Sequence, residues 1–126
     1  MVVKLFDYCE FFSDYLGVQV YPLQYPFNNE REDCFTLDVV FGYTLADDVK
    51  STQVQFQCRS LHPQTAEEKA EELILKLKDL TNVIYGDYQI IRIKPSFTNP
   101  YFLGQDENGN YLFTVDFIIL TNKINR

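Results

Sequence analysis

Residues 52–59 read Thr-Gln-Val-Gln-Phe-Gln-Cys-Arg, so that Thr52, Val54, Phe56 and Cys58 alternate with Gln53, Gln55, Gln57 and Arg59. A period of two is that of a strand, whose successive side chains point to opposite faces of a sheet. One face carries the apolar set and turns toward a core. The other carries three glutamines in register, so it meets water or a polar neighbour. After a short link the period changes. Ala66, Ala70, Leu73, Leu77 and Leu80 trace one side of a helix predicted over 65–80, with Ile74 beside them. Thr65 and Glu68 have the spacing of a capping box, in which each side chain bonds an N–H of the other residue. Glu67, Glu68, Glu71 and Glu72 crowd the N-terminal half while Lys76 and Lys78 come late, as the helix dipole favours. Glu72 and Lys76 form an i,i+4 pair in the favourable order. The charges on the outer side of this helix read as a solvated face.

Toward the N-terminus, Leu5, Cys9, Phe12 and Leu16 recur at helical spacing over 2–16, and Gly17 is placed as a C-terminal stop. Tyr8, Phe11 and Tyr15 widen the apolar arc beyond the stripe an ordinary surface helix needs. Such a helix either packs deeply on its own sheet or touches both the sheet and a neighbouring subunit. A short strand over 18–23, a polar loop over 28–33 and a strand with Phe35, Leu37, Val39 and Phe41 on one face follow. A connection over 42–50 carries Asp47 and Asp48.

Toward the C-terminus, Tyr88 to Lys94 is a strand closed by Pro95, and Asn99-Pro100 turns the chain. The polar segment 105–110 holds Asn108-Gly109, a strong short-range hairpin signal. In the last strand, Tyr111 to Leu120, one face carries Tyr111, Phe113, Val115, Phe117 and Ile119. Ile118 and Leu120 make its end apolar on the second face as well, which requires cover by a helix or by a partner. The expected fold is α+β: an antiparallel or mixed β-sheet with two α-helices packed against it, residues 1–126 forming a single domain.

Composition narrows the function. The chain has 126 residues, 46% hydrophobic and 16% aromatic, with nine Tyr and eleven Phe. That is more aromatic surface than a small core readily takes in, and aromatic residues are enriched at interfaces. The formal charge is −7, from 18 acidic and 11 basic side chains, and no two Lys or Arg are adjacent. Clustered cations, the footprint of nucleic-acid and anionic-membrane binding, are missing, so neither partner is expected. Cys9, Cys34 and Cys58 lie far apart, no CxxC occurs, and Asp7, Glu10 and Asp14 interrupt the opening residues. Free thiols in a reducing compartment, without a secretory leader or a membrane span, are the expectation.

Signals of catalysis are scarce. A single histidine, His62, cannot build a His-based zinc site, and the cysteines lack paired spacing. Cys58 with His62 offers a nucleophile and a base, but Cys58 falls on the apolar phase of its strand and reads as a buried structural thiol. Asp47 with Asp48, and Asp106 with Glu107, are neighbours on turns whose side chains diverge, so they read as loop charge. Residues 106–110 lack the glycine and glutamate positions of a calcium-binding EF-hand. Phosphate-loop, dinucleotide and nucleophile-elbow motifs are absent. No catalytic residue, metal ligand or cofactor is expected.

Two stretches resemble a known family. The strand over 52–59 leading into Thr65-Ala66-Glu67-Glu68-Lys69-Ala70-Glu71-Glu72-Leu73 is similar to the strand–helix unit of tailed-bacteriophage minor capsid and tail terminator (head–tail joining) proteins. Pro100 to Tyr111, followed by Phe113-Thr114-Val115-Asp116-Phe117, is similar to that family's closing hairpin, with Asn110 where the pattern carries a basic residue. The likeness spans roughly residues 50–122. It implies a structural protein of phage or prophage origin that forms a homo-oligomeric ring, usually a hexamer. The ring caps the tail tube and joins it to the head connector, so self, tail-tube protein and head-connector proteins are the implied partners. The implied location is the head–tail junction of the virion, and the host cytoplasm during assembly. Candidate subunit-interface residues are Tyr8, Phe11, Tyr15, Phe97, Tyr101, Phe102 and Leu103. Loops at the ends of the sheet, 28–34, 43–50 and 104–110, reach the lumen or the neighbouring ring in such assemblies, which makes Asp47, Asp48, Asp106 and Glu107 the candidates there. Two other readings stay open: an acidic immunity- or inhibitor-like module, marked by a monomer binding one basic partner, and an enzyme of unfamiliar type, which needs a deep polar pocket.

Overall fold

A computed structural model describes residues 3–24, 35–46 and 49–124. The first helix, α1 (Leu5–Leu16), opens with the Asp7 carboxylate accepting the Lys4 backbone N–H at 2.9 Å. It stops at Gly17, whose left-handed φ of 73° lets its N–H reach the Ser13 carbonyl at 3.0 Å. Strands β1 (Val20–Pro22), β2 (Phe35–Ala46) and β3 (Val49–Ser60) follow, then α2 (Pro63–Leu77), β4 (Thr81–Tyr85), β5 (Tyr88–Pro95), β6 (Tyr101–Gln105) and β7 (Tyr111–Lys123).

All seven strands join one sheet in the order β1-β2-β3-β7-β5-β4, with β6 also on β7. β1 runs parallel to β2 and every other pair is antiparallel, so the sheet is mixed and the fold is α+β. β7 is the spine. β3 pairs along one of its edges from Val49 to Ser60, while β6 and β5 divide the other edge between its two halves. At the changeover the Ser96 N–H donates to the Asp116 carbonyl at 2.8 Å.

Both helices cover the same side of the sheet. Val54, Phe56 and Cys58 of β3, Val115, Phe117 and Ile119 of β7, and Ile90 and Ile93 of β5 form that side. From α2, Ala70, Leu73, Ile74 and Leu77 pack onto it. Phe56 sits at the centre, edge-to-face with Phe12 of α1 at 5.1 Å, Phe117 at 5.7 Å and Phe35 at 6.3 Å. Such pairs add to the area term because a ring's positive edge meets the negative face of its neighbour.

Several expectations need correction. The second helix begins at Pro63, where a missing N–H costs nothing in a first turn, and Thr65 lies exposed inside the helix with no side-chain cap at its start. The capping box therefore does not form. α1 begins at Leu5, later than residue 2. The connection expected over 42–50 is mostly strand: β2 continues to Ala46 and β3 starts at Val49, while Asp47 and Asp48 lie outside the described residues, as do 28–34. Phe41 does not share a face with Phe35, Leu37 and Val39. A bulge between Val39 and Phe41 inserts one residue into the ladder, which sets Phe41 opposite Gln53 on the other face.

Candidate assembly surfaces

Tyr8 and Phe11 were expected at a subunit interface, but they are core residues, 0% and 3% exposed. The broad arc of α1 is explained inside the subunit. Phe12 meets β3 through Phe56, while Phe11 turns to Phe12 at 5.1 Å and to Tyr85 of β4 at 5.2 Å. The Tyr85 hydroxyl lies 3.2 Å from a Glu10 carboxylate oxygen and 3.1 Å from one of Asp14, tying the helix to the β4 edge. Tyr15, stacked on Phe11, remains on the surface.

Phe97, Tyr101, Phe102 and Leu103 are all exposed, at and before β6. They do not act as one patch. Tyr101 pairs with Thr114 on the side of the sheet away from the helices, while Phe102 pairs with Phe113 on the helix side and leans on its ring at 5.5 Å. Tyr101 closes a polar cluster: its oxygen accepts from the Gln55 amide at 2.7 Å and its hydroxyl donates to Asp116 at 3.3 Å. The other Asp116 oxygen accepts from the Gln53 amide at 3.1 Å. The glutamine face of β3 thus meets a polar neighbour within the chain.

Among the described residues no helix covers that side of the sheet, and its register places a distinct patch near the β2–β3 hairpin end. One row across the strands reads Phe41, Gln53, Ile118, Lys94, and the next reads Tyr43, Ser51, Leu120, Arg92. Phe41 and Tyr43 stack at 6.5 Å and are more than half exposed, and Ile118 is 37% exposed. β1 pairs with β2 only as far as Leu37, so among the described residues the edge of β2 beyond it is unpaired. An open edge with apolar side chains is a template for association. The two-sided apolarity of β7 pointed to Ile118 and Leu120. The bulge that turns Phe41 and Tyr43 to the same side, one strand away across Gln53 and Ser51, leaves no mark in the alternation, and Arg92 and Lys94 are isolated charges in the sequence.

Of the loop carboxylates, Asp106 has a structural role. Its Oδ1 accepts the Asn108 and Asn110 backbone N–H groups at 2.9 Å each, and Oδ2 accepts the Asn110 amide at 2.9 Å. Partial burial works to raise its pKa, but these bonds and the nearby Arg59 charge outweigh it, and the carboxyl is held below the usual range. Gly109, at φ 83°, completes the turn. Glu107 is exposed beside it.

The Cys9 and Cys58 thiols are unsuited to nucleophilic work. Burial pushes Cys9 up to about 11 and Cys58 up to about 12, while His62 is exposed at the start of α2. A cleft of about 170 Å³ between the end of α1 and α2 is lined by Leu16, Val18, Phe35 and Leu73 with Lys69, Glu72 and Lys76 at its rim. It is smaller than the roughly 300–1,000 Å³ usual for small-molecule sites, and mostly apolar.

The family model for bacteriophage tail terminator protein matches residues 40–123, well over half of the chain. The chain belongs to that family. A comparison with curated proteins gave no match. Tail terminators are structural proteins, so the chain is a virion component that meets other proteins of the phage tail. The tail terminator match starts at the β2 bulge and runs to the end of β7, and so contains the whole uncovered patch and α2.

Proposed function

We propose that residues 1–126 act as one domain and assemble into a closed ring, a hexamer, that caps the phage tail tube at the head–tail junction and offers its other side to the head connector. Beside family membership, the observation that supports this reading is the uncovered sheet face. Phe41, Tyr43 and Ile118 stand on β2 and β7 with no part of the described chain over them. A tail-tube cap and a self-assembling ring both need such unfilled apolar surface, and a monomer does not. Tyr15, Phe97, Phe102 and Leu103 stay as secondary contact candidates because they are exposed.

Carboxylates on the loops serve the lumen in this reading. DNA passing a ring wall lined with Asp47, Asp48 and Glu107 meets like charge and does not adhere, with the repulsion felt within about 8 Å at physiological salt. Asp106 holds its own turn, so Glu107→Lys, not a change at Asp106, is the clean lumen variant.

The capping role is tested by adding purified protein to tail-tube protein as it polymerises. Elongation should stop at ratios near one ring per growing end, with closed rings seen at tube tips in electron micrographs. Unaltered tube growth with no protein at the ends would overturn the proposal.

A further inference from the structure

We infer that neighbouring subunits meet through opposite sides of the sheet: the uncovered apolar and basic patch of one chain sits on the outer face of α2 of a second copy. This deepens the ring reading above and rests on it.

The two surfaces are complementary in charge, and each carries an exposed apolar residue. On the uncovered side, Lys94 stands opposite Ile118 and Arg92 opposite Leu120, with the Phe41–Tyr43 pair on the same side beyond Gln53 and Ser51; both cations are exposed and, among the described residues, without a carboxylate partner. On α2, the buried residues Ala66, Ala70, Leu73, Ile74 and Leu77 turn one face to the sheet. The opposite face presents Leu75, 64% exposed, with Glu71 one turn and Glu68 two turns before it. Glu68 accepts only the Gln64 amide, at 3.0 Å, and neither carboxylate has a cation partner among the described residues. Glu72, by contrast, is already paired with Lys76 at 3.1 Å. An exposed Leu among unpaired acids thus has its counterpart in an exposed Ile among unpaired bases.

Geometry selects a second copy as the occupant. The patch and α2 lie on opposite sides of one sheet, so a contact joining them is heterologous, and repeating it gives a ring when the rotation closes. A two-fold dimer would bring like charge onto like charge at either surface. The chain as a whole carries −7, so surplus cations are few, and the uncovered side sets two of them opposite Ile118 and Leu120. Charge of this kind fixes register and excludes wrong pairings more than it adds affinity.

The test uses the full chain in three variants: Arg92→Glu with Lys94→Glu, Glu68→Lys with Glu71→Lys, and all four changes together. All four positions are exposed, and far-ultraviolet circular dichroism checks that each variant folds. Assembly is read by sedimentation velocity and native mass spectrometry over a concentration series, with and without tail tubes. Each double variant should need at least about tenfold more protein to assemble. The fourfold variant, in which both surfaces are reversed and complementary again, should recover wild-type assembly. Wild-type rings with unimpaired double variants would leave the ring standing and overturn this interface. Double variants that form rings normally yet fail to bind tail tubes would assign the patch to the tube protein and overturn it too. A wild-type chain that stays monomeric under every condition would overturn the ring reading, and this inference with it.

Discussion

Phe117 and Ile118 are adjacent on the same strand and meet opposite fates. Phe117 is 0% exposed, pressed edge-to-face on Phe56 beneath the two helices. Ile118, pointing the other way, has Gln53 and Lys94 as its cross-strand neighbours and is 37% exposed. The helix side of the sheet is closed by the chain itself. The other side is partly closed, where Tyr101 seals the Gln55–Asp116 cluster, and bare where Phe41, Tyr43 and Ile118 stand. A sheet with apolar residues on both faces and, among the described residues, helices on only one leaves surface open to a partner, and family membership says that its partners are other phage proteins.

The sharpest way to break this contrast is to truncate both sides. Phe56→Ala or Phe117→Ala should lose roughly 3–5 kcal/mol in denaturant titrations, because the cavity lies among aromatic neighbours that cannot collapse into it. Ile118→Ala should cost about 1 kcal/mol or less, the scale of strand preference at a partly exposed site. Equal losses at positions 117 and 118 would mean that the two faces are not different in kind.

A smaller effect is expected at the hairpin that leads into β7. Asp106→Ala removes the acceptor for two backbone N–H groups and should cost about 1 kcal/mol. Because the folded carboxyl is held below its unfolded value, its contribution is present above the ordinary Asp range, near pH 4, and is lost as pH falls through the folded pKa. Acid titrations of stability should therefore be shallower for Asp106→Ala than for the wild type, and identical profiles would remove the role given to those bonds. Smallest of all, Thr65→Ala should change stability by no more than about 0.5 kcal/mol, since Thr65 caps nothing. A loss near 1 kcal/mol would restore the capping box.

These particulars show what the amino-acid pattern carries. The inward phase of β3 and β7, the Gly17 stop, the polar hairpin at 105–110 and the α+β class all follow from periods and turn chemistry, and all are present in the structure. The bulges after Val39 and Ile90 are not legible, because one inserted residue inverts the phase without changing composition. β4 escaped because Thr81 to Tyr85 is short, starts soon after α2 and holds Asn82 at φ 53°. Tyr8 and Phe11 were misassigned for a related reason. A wide apolar arc states how much surface a helix must cover, and here β4, through Tyr85, takes the remainder that an adjoining subunit was expected to take. For the candidate site, the double apolarity of Ile118 and Leu120 was visible, but which face the helices cover depends on chain crossings that a period of two does not encode.

The central claim is that one side of the sheet holds the fold and the other receives a partner. Hydroxyl-radical footprinting of the free and tube-assembled protein tests it directly, because oxidation reads side-chain exposure residue by residue. The account predicts that Phe41, Tyr43 and Ile118 are reactive in the free chain and protected after assembly, while Phe12, Phe56 and Phe117 stay unreactive in both. Unchanged reactivity of Phe41, Tyr43 and Ile118 on assembled tubes would contradict it.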